Sequence, residues 1–133
     1  MEQPIDRLAA GVSELKPGVT LSNPAAGWFI VGARIAPNVS IQCLFRKSPE
    51  PHYSVGLAFD DKARDVNEVN ARRYQAFLQG HGCPENLQLF SPSADRPVLL
   101  YYRAVFPLDE AGSLERATKL AVWLNDQPFA QVE

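Results

Sequence analysis

The chain reads as an α+β domain: an antiparallel sheet of about five strands with three helices, in the order α-β-β-β-α-β-β-α. Three observations predict this class. Two consecutive runs, 39–46 and 53–59, place apolar side chains at every second residue, and only the short proline-bearing break Lys47-Ser48-Pro49-Glu50-Pro51-His52 separates them, which favours antiparallel neighbours. Three other stretches carry apolar residues at the three- and four-residue spacing of a helical face. The 133 residues contain no internal repeat, low-complexity segment or linker, so one domain spans 1–133.

Taken in order, Ile5, Leu8, Ala9, Val12 and Leu15 share one face of a helix from about Pro4 to Leu15. A first-turn proline and Asp6 near the helix N-terminus both suit it. Gly11 weakens the helix by about 1 kcal/mol relative to alanine, which predicts fraying or a bend. Lys16-Pro17-Gly18 ends it, and Asn23-Pro24 with Gly27 marks 19–27 as loop. Trp28 to Ile35 is a strand with apolar groups on both faces, and Ala36-Pro37-Asn38 turns it into the central hairpin. In that hairpin Val39, Ile41, Cys43 and Phe45 share one face, while Ser40, Gln42 and Arg46 share the other. Tyr53, Val55, Leu57 and Phe59 likewise lie opposite small residues. Of these, Val39, Ile41, Cys43, Phe45, Val55, Leu57 and Phe59 are the predicted core.

A second helix runs from about Val66 to Gln79, with Asp65 as N-cap and Glu68 completing an acidic variant of the capping box. Its apolar stripe is Val66, Val69, Tyr74, Phe77 and Leu78, and Gly80-His81-Gly82-Cys83-Pro84 stops it. Asn86 to Phe90 is a short strand, Ser91 to Pro97 a loop, and Val98 to Phe106 a long strand apolar on both faces. The last helix, about Ser113 to Asp126, lines up Leu114, Ala117, Ala121 and Leu124, with Leu120, Val122 and Trp123 widening the stripe. Gln127 to Glu133 reads as a loose tail.

Composition excludes several classes of function. A formal charge of -2 with both signs scattered supplies no basic stripe, so nucleic acid is not an expected partner. No apolar run approaches the roughly 18 residues of a membrane span and no signal-peptide pattern opens the chain, so the expectation is a cytoplasmic protein without a membrane partner. Cys43 and Cys83 lack both metal-ligand spacing and a secretory disulfide context, and Cys43 is placed to pack as a small hydrophobe.

Candidate chemistry is sparse. His81, Cys83 and His52 are the groups from which a thiol and a base might be assembled, yet a Gly-Cys-Pro helix stop explains His81 to Pro84 without chemistry. Asp60, Asp61, Asp65 and Glu68 are rich in oxygen ligands but lack the glycine and terminal glutamate of a calcium loop, and Lys62 and Arg64 interrupt them. No metal is expected. Arg72 and Arg73 read as a solvated helix face. Gly80 and Gly82 follow a helix, whereas a phosphate cradle needs glycines leading into one, so no cofactor is expected.

Apolar surface is the feature in surplus. Trp28, Phe29, Tyr101, Tyr102 and Trp123 exceed the evident needs of one small sheet, and they are candidate interface residues for a second copy or another polypeptide. The element order is similar to that of the small cytoplasmic chaperones of type III secretion and the related YbjN-like family of bacterial regulators. The run Val66-Asn67-Glu68-Val69-Asn70 resembles the one opening the middle helix of the YbjN-like proteins, and Val98 to Phe106 followed by Ser113 to Leu124 resembles their closing strand and helix. The chain departs from the strongly acidic balance common among the secretion chaperones. The resemblance implies a homodimeric, non-enzymatic, chaperone-like or regulatory protein-binding module and carries over no catalytic residue. The alternative is a small-molecule-binding protein or enzyme with a pocket near His81 and Cys83.

Overall fold

The computed structural model describes residues 3–15, 19–23, 26–91 and 99–132, with the backbone alone at 19–23. Its elements are α1 (Pro4–Leu15), β1 (Val19–Asn23), β2 (Trp28–Ala36), β3 (Val39–Arg46), β4 (His52–Phe59), α2 (Arg64–Gly80), β5 (Gln88–Phe90), β6 (Leu100–Pro107) and α3 (Ser113–Asn125), then a 3-10 turn, Phe129–Gln131. The α+β class and the order of the main elements are as the sequence predicts. The sheet runs β1-β2-β3-β4-β6-β5 with every neighbouring pair antiparallel, and the hairpin of β3 and β4 is at its centre. One strand is additional: Val19–Asn23, expected as loop, pairs with Trp28–Val31 at the sheet edge. The expected stops and loop at Lys16 to Gly18 and Pro92 to Pro97 lie outside the described residues, as does Val98.

Alternation decides which face the helices cover. Val39, Ile41 and Cys43 on β3 and Tyr53, Val55, Leu57 and Phe59 on β4 are buried, with Phe45 partly buried against the same core. All seven residues predicted for the core thus lie in it. The core extends through Phe29, Val31, Leu100, Tyr102, Ala104 and Phe106 to α1, α2 and α3. α3 occupies the middle of the helical layer, touching α1 and β2, β3, β4 and β6, which accounts for its wide apolar stripe: Ala117, Leu120, Ala121 and Leu124 are all buried. α1 crosses α3 closely at Gly11, where an added Cβ would come within 3.0 Å of Thr118 Oγ1. The glycine read as a weak point is what lets the two helices approach, and α1 continues through it to Leu15.

Two readings of α2 need correction. Its cap residue is Ala63, with no side-chain cap, so Asp65 lies in the first turn, and Glu68 accepts from Arg64 Nε at 2.8 Å. The buried stripe is Asn67, Ala71, Tyr74 and Leu78, while Val66 (41 % exposed) and Val69 (54 %) face outward. Asn67 is fully buried because its amide clamps Asp61: the Asp61 N–H donates to Asn67 Oδ1 at 2.8 Å, and Asn67 Nδ2 donates to the Asp61 carbonyl at 3.0 Å. Asp61 in turn accepts from Asn38 Nδ2 at 2.7 Å and from the Ala63 N–H at 2.9 Å, locking the β2–β3 turn to the start of α2. The C-terminal tail is likewise seated. Phe129 packs its ring against Tyr74 and Phe77, with centroids 5.8 and 5.6 Å away.

Candidate functional site

Side chains of the other parity define the second face of the sheet. On β4 these are His52, Ser54, Gly56 and Ala58; on β3, Ser40, Gln42, Leu44 and Arg46; on β2, Trp28 and Ile30; on β6, Tyr101, Arg103 and Val105. The cluster buried here joins Ala58, Leu99 and Tyr101 with Leu44 and Phe90 and contains no helical side chain. Burial without a covering helix follows from the small residues. Ser40, Ser54, Gly56 and Ala58 make a low floor along the central strands, and larger side chains on β2 and β6 stand above it. Gly56 has a further role: an added Cβ would run into the Tyr102 carbonyl oxygen and come within 2.6 Å of Arg103 Cα, so β4 and β6 approach closely here only because glycine has no side chain.

The resulting concavity has a volume of about 390 Å³. Trp28, Ile30, Leu44, Leu99 and Tyr101 supply apolar wall, and Arg34, Gln42, Arg46 and Asp60 supply polar groups. Arg34 Nη1 lies 3.7 Å from Asp60 Oδ2. Farther along the same face Arg103 stacks on Phe90, its guanidinium carbon 3.8 Å from the ring centroid. Its Nη1 is buried and meets no hydrogen-bond acceptor among the described residues. Burial, and after it the positive charge of Arg46, holds the Arg103 pKa below the ordinary guanidinium value.

The five aromatic candidates are divided by strand parity. Trp28, half-buried, and Tyr101, buried in the smaller cluster at 8 % exposed, both line this concave face. Phe29 (1 % exposed) and Tyr102 (3 %) point to the helices and are core, and Trp123 is half-buried on α3 against the same core. Arg34 and Arg46 were not legible as a pair lining one concavity, because nothing local relates two arginines on different strands. The available signal was the run of small residues opposite the apolar face of β4.

The alternative site is differently arranged. His81 Nδ1 donates to the Phe77 carbonyl at 2.8 Å, and its ring stacks on Phe77 with centroids 4.1 Å apart, so it finishes α2. Cys83 is half-buried, and that burial pushes its thiol upward, with the nearby Glu85 charge adding to the rise against a lowering backbone hydrogen bond. A thiol held protonated is a poor nucleophile. The acidic residues after β4 are also engaged: Asp60 with Arg34, Asp61 with Asn38 and Ala63, and Glu68 with Arg64. Among the described residues no three His, Cys, Asp or Glu side chains come together to hold a metal, and no helix is long and apolar enough to cross a membrane.

Compared with known proteins, the chain matches no family model, and neither a curated protein nor a solved structure matches it.

Proposed function

We propose that this domain is a non-enzymatic polypeptide-binding module of chaperone-like or regulatory character, working as a homodimer, and that the helix-free face of the sheet is where the partner segment lies. The observation that carries this reading is the concave face itself: aromatic and aliphatic walls over a floor of small residues, uncovered by any helix among the described residues. A cavity of this size takes a few side chains of an extended chain, with apolar anchors between Trp28 and Tyr101. The resemblance to secretion chaperones and YbjN-like regulators points the same way. For the second copy, the exposed apolar side chains of the described residues include Val66 and Val69 on α2. A two-fold contact there leaves the concave face open.

Panning a randomised nine-residue peptide library against the folded domain tests the binding reading. Peptides should be enriched that bind the wild type and lose binding to Trp28→Glu, at a half-buried wall residue, with the variant's circular dichroism unchanged. Failure to enrich any peptide that discriminates the two proteins overturns it. Sedimentation at micromolar concentration tests the assembly: twice the chain mass is expected, falling to the monomer in Val69→Glu, and a monomeric wild type refutes it.

A further inference from the structure

We infer that Gln42 is the specificity-determining residue of the concave face and reads the main chain of the bound segment. Its side-chain amide accepts from the N–H, and donates to the C=O, of one residue of an extended, uncharged stretch. The inference rests on the polypeptide-binding reading for its occupant, and the placement of Gln42 carries it. Gln42 lines the cavity from the middle of β3, half-buried, and its amide meets no hydrogen-bond partner among the described residues. Its neighbours in register leave it the sole polar side chain of its row on these three strands: Ile30 on β2 is apolar and 4 % exposed, and Gly56 on β4 has no side chain. Few and well-placed polar groups of this kind are what fix the orientation of an occupant against apolar walls.

The chemistry of the occupant follows from what surrounds the amide. The charged groups of the cavity are anchored toward its two ends. Arg46 is four residues further along β3, about 13 Å at the rise of a strand. Asp60 belongs to the other end, where its N–H donates to the Asn38 carbonyl and its carboxylate stands beside Arg34. Between them Gln42 offers a neutral group that is donor and acceptor at once. One residue of an extended chain is the complement, because its N–H and C=O point to the same side. A ligand group that only donates or only accepts leaves half of the amide unmet, and an unmet polar group under a bound ligand costs affinity. Main-chain reading makes the site tolerant of side chains but closed to proline at the residue read, which has no N–H to give.

Two probes on the full chain test the inference. The first is N-acetyl-valine-N′-methylamide, a single residue between two peptide groups, titrated while the Nε2 amide protons of Gln42 are followed by NMR. Saturable shifts are expected. The second is a capped nine-residue peptide of alternating valine and serine, with a series in which one amide N–H at a time is replaced by an ester oxygen. At one central position the ester should weaken binding to the wild type about fivefold, the scale of one neutral hydrogen bond. Gln42→Met, of similar length without the amide, should lose that dependence, whereas Gln42→Glu, which keeps an acceptor oxygen, should retain it. Both variants alter a half-buried side chain on the helix-free face, so their urea midpoints should match the wild type. Equal affinity of every ester for the wild type, or the same dependence in Gln42→Met, overturns the role of Gln42 and leaves polypeptide binding standing. Saturable shifts from the single-residue probe with no peptide bound uphold Gln42 and overturn the polypeptide reading. Silence from both probes overturns both.

Discussion

Replacing Asn67 with alanine should destabilise the domain by about 2–3 kcal/mol, although asparagine is a poor helix residue and the substitution improves local propensity. The Asn67 amide makes two hydrogen bonds to the Asp61 backbone, at 2.8 and 3.0 Å. At about 1 kcal/mol each they contribute roughly 2 kcal/mol. Emptying a fully buried position adds about 1 kcal/mol more, and the gain in helix propensity returns about 0.5 kcal/mol. For a domain of this size the net loss corresponds to a melting temperature lower by roughly 6–12 °C. Urea denaturation followed by circular dichroism measures it, with Arg72→Ala as the control on the same helix. That side chain is exposed, so its loss should stay within about 0.5 kcal/mol. If Asn67→Ala proves as mild as Arg72→Ala, the clamp on Asp61 is not what holds the β4–α2 connection, and the argument fails.

Three further outcomes follow from the core and the sheet. Ile41→Ala, at a fully buried position on β3, should cost about 2–5 kcal/mol in a urea melt, and a loss under about 0.5 kcal/mol would refute its placement. Gly56→Ala should cost about 2 kcal/mol or more despite the entropy that alanine saves in the unfolded chain, because backbone atoms of β6 stand in the way; unchanged stability would mean that the strands part freely. Burial pushes the Cys43 thiol up, so above pH of about 8.5 the native state keeps a proton that the unfolded chain releases, and stability falls with rising pH by about 1.4 kcal/mol per unit. Cys43→Ala should flatten that slope between about pH 8.5 and 10, and equal slopes would show the thiol does not cause it.

A fourth outcome concerns the alternative chemistry. His81→Ala and Cys83→Ser should leave peptide affinity unchanged, since His81 is bonded to Phe77 and Cys83 sits at the helix stop, away from the concave face. A peptide affinity or a metabolite turnover that depends on either residue would favour the enzyme reading.

Local pattern was sufficient for the hairpin and misleading for the second helix, for reasons that differ in kind. In β3 and β4 each side chain's face is dictated by its neighbour's, so Val39, Ile41, Cys43, Val55, Leu57 and Phe59 could be placed without knowing what covers them. In α2 the apolar residues Val66 and Val69 suggested a stripe that tertiary structure rotates outward. A buried asparagine is stable there because its two partners come from the loop before the helix, and hydropathy does not register them. Val19–Asn23 became a strand for a similar reason: its partner strand, β2, supplies what its own sequence does not advertise.

The residues alone therefore determined the α+β class, the central antiparallel hairpin, the covered face of that hairpin and the surplus of aromatic groups. Tertiary structure decided how that surplus is divided, sending Phe29 and Tyr102 to the helix-covered face and Trp28 and Tyr101 to the other face of the sheet. Side-chain alternation along a strand is a property of the strand, whereas the register between strands, the height of the floor between them and the charges that meet across it depend on pairings distant in the chain.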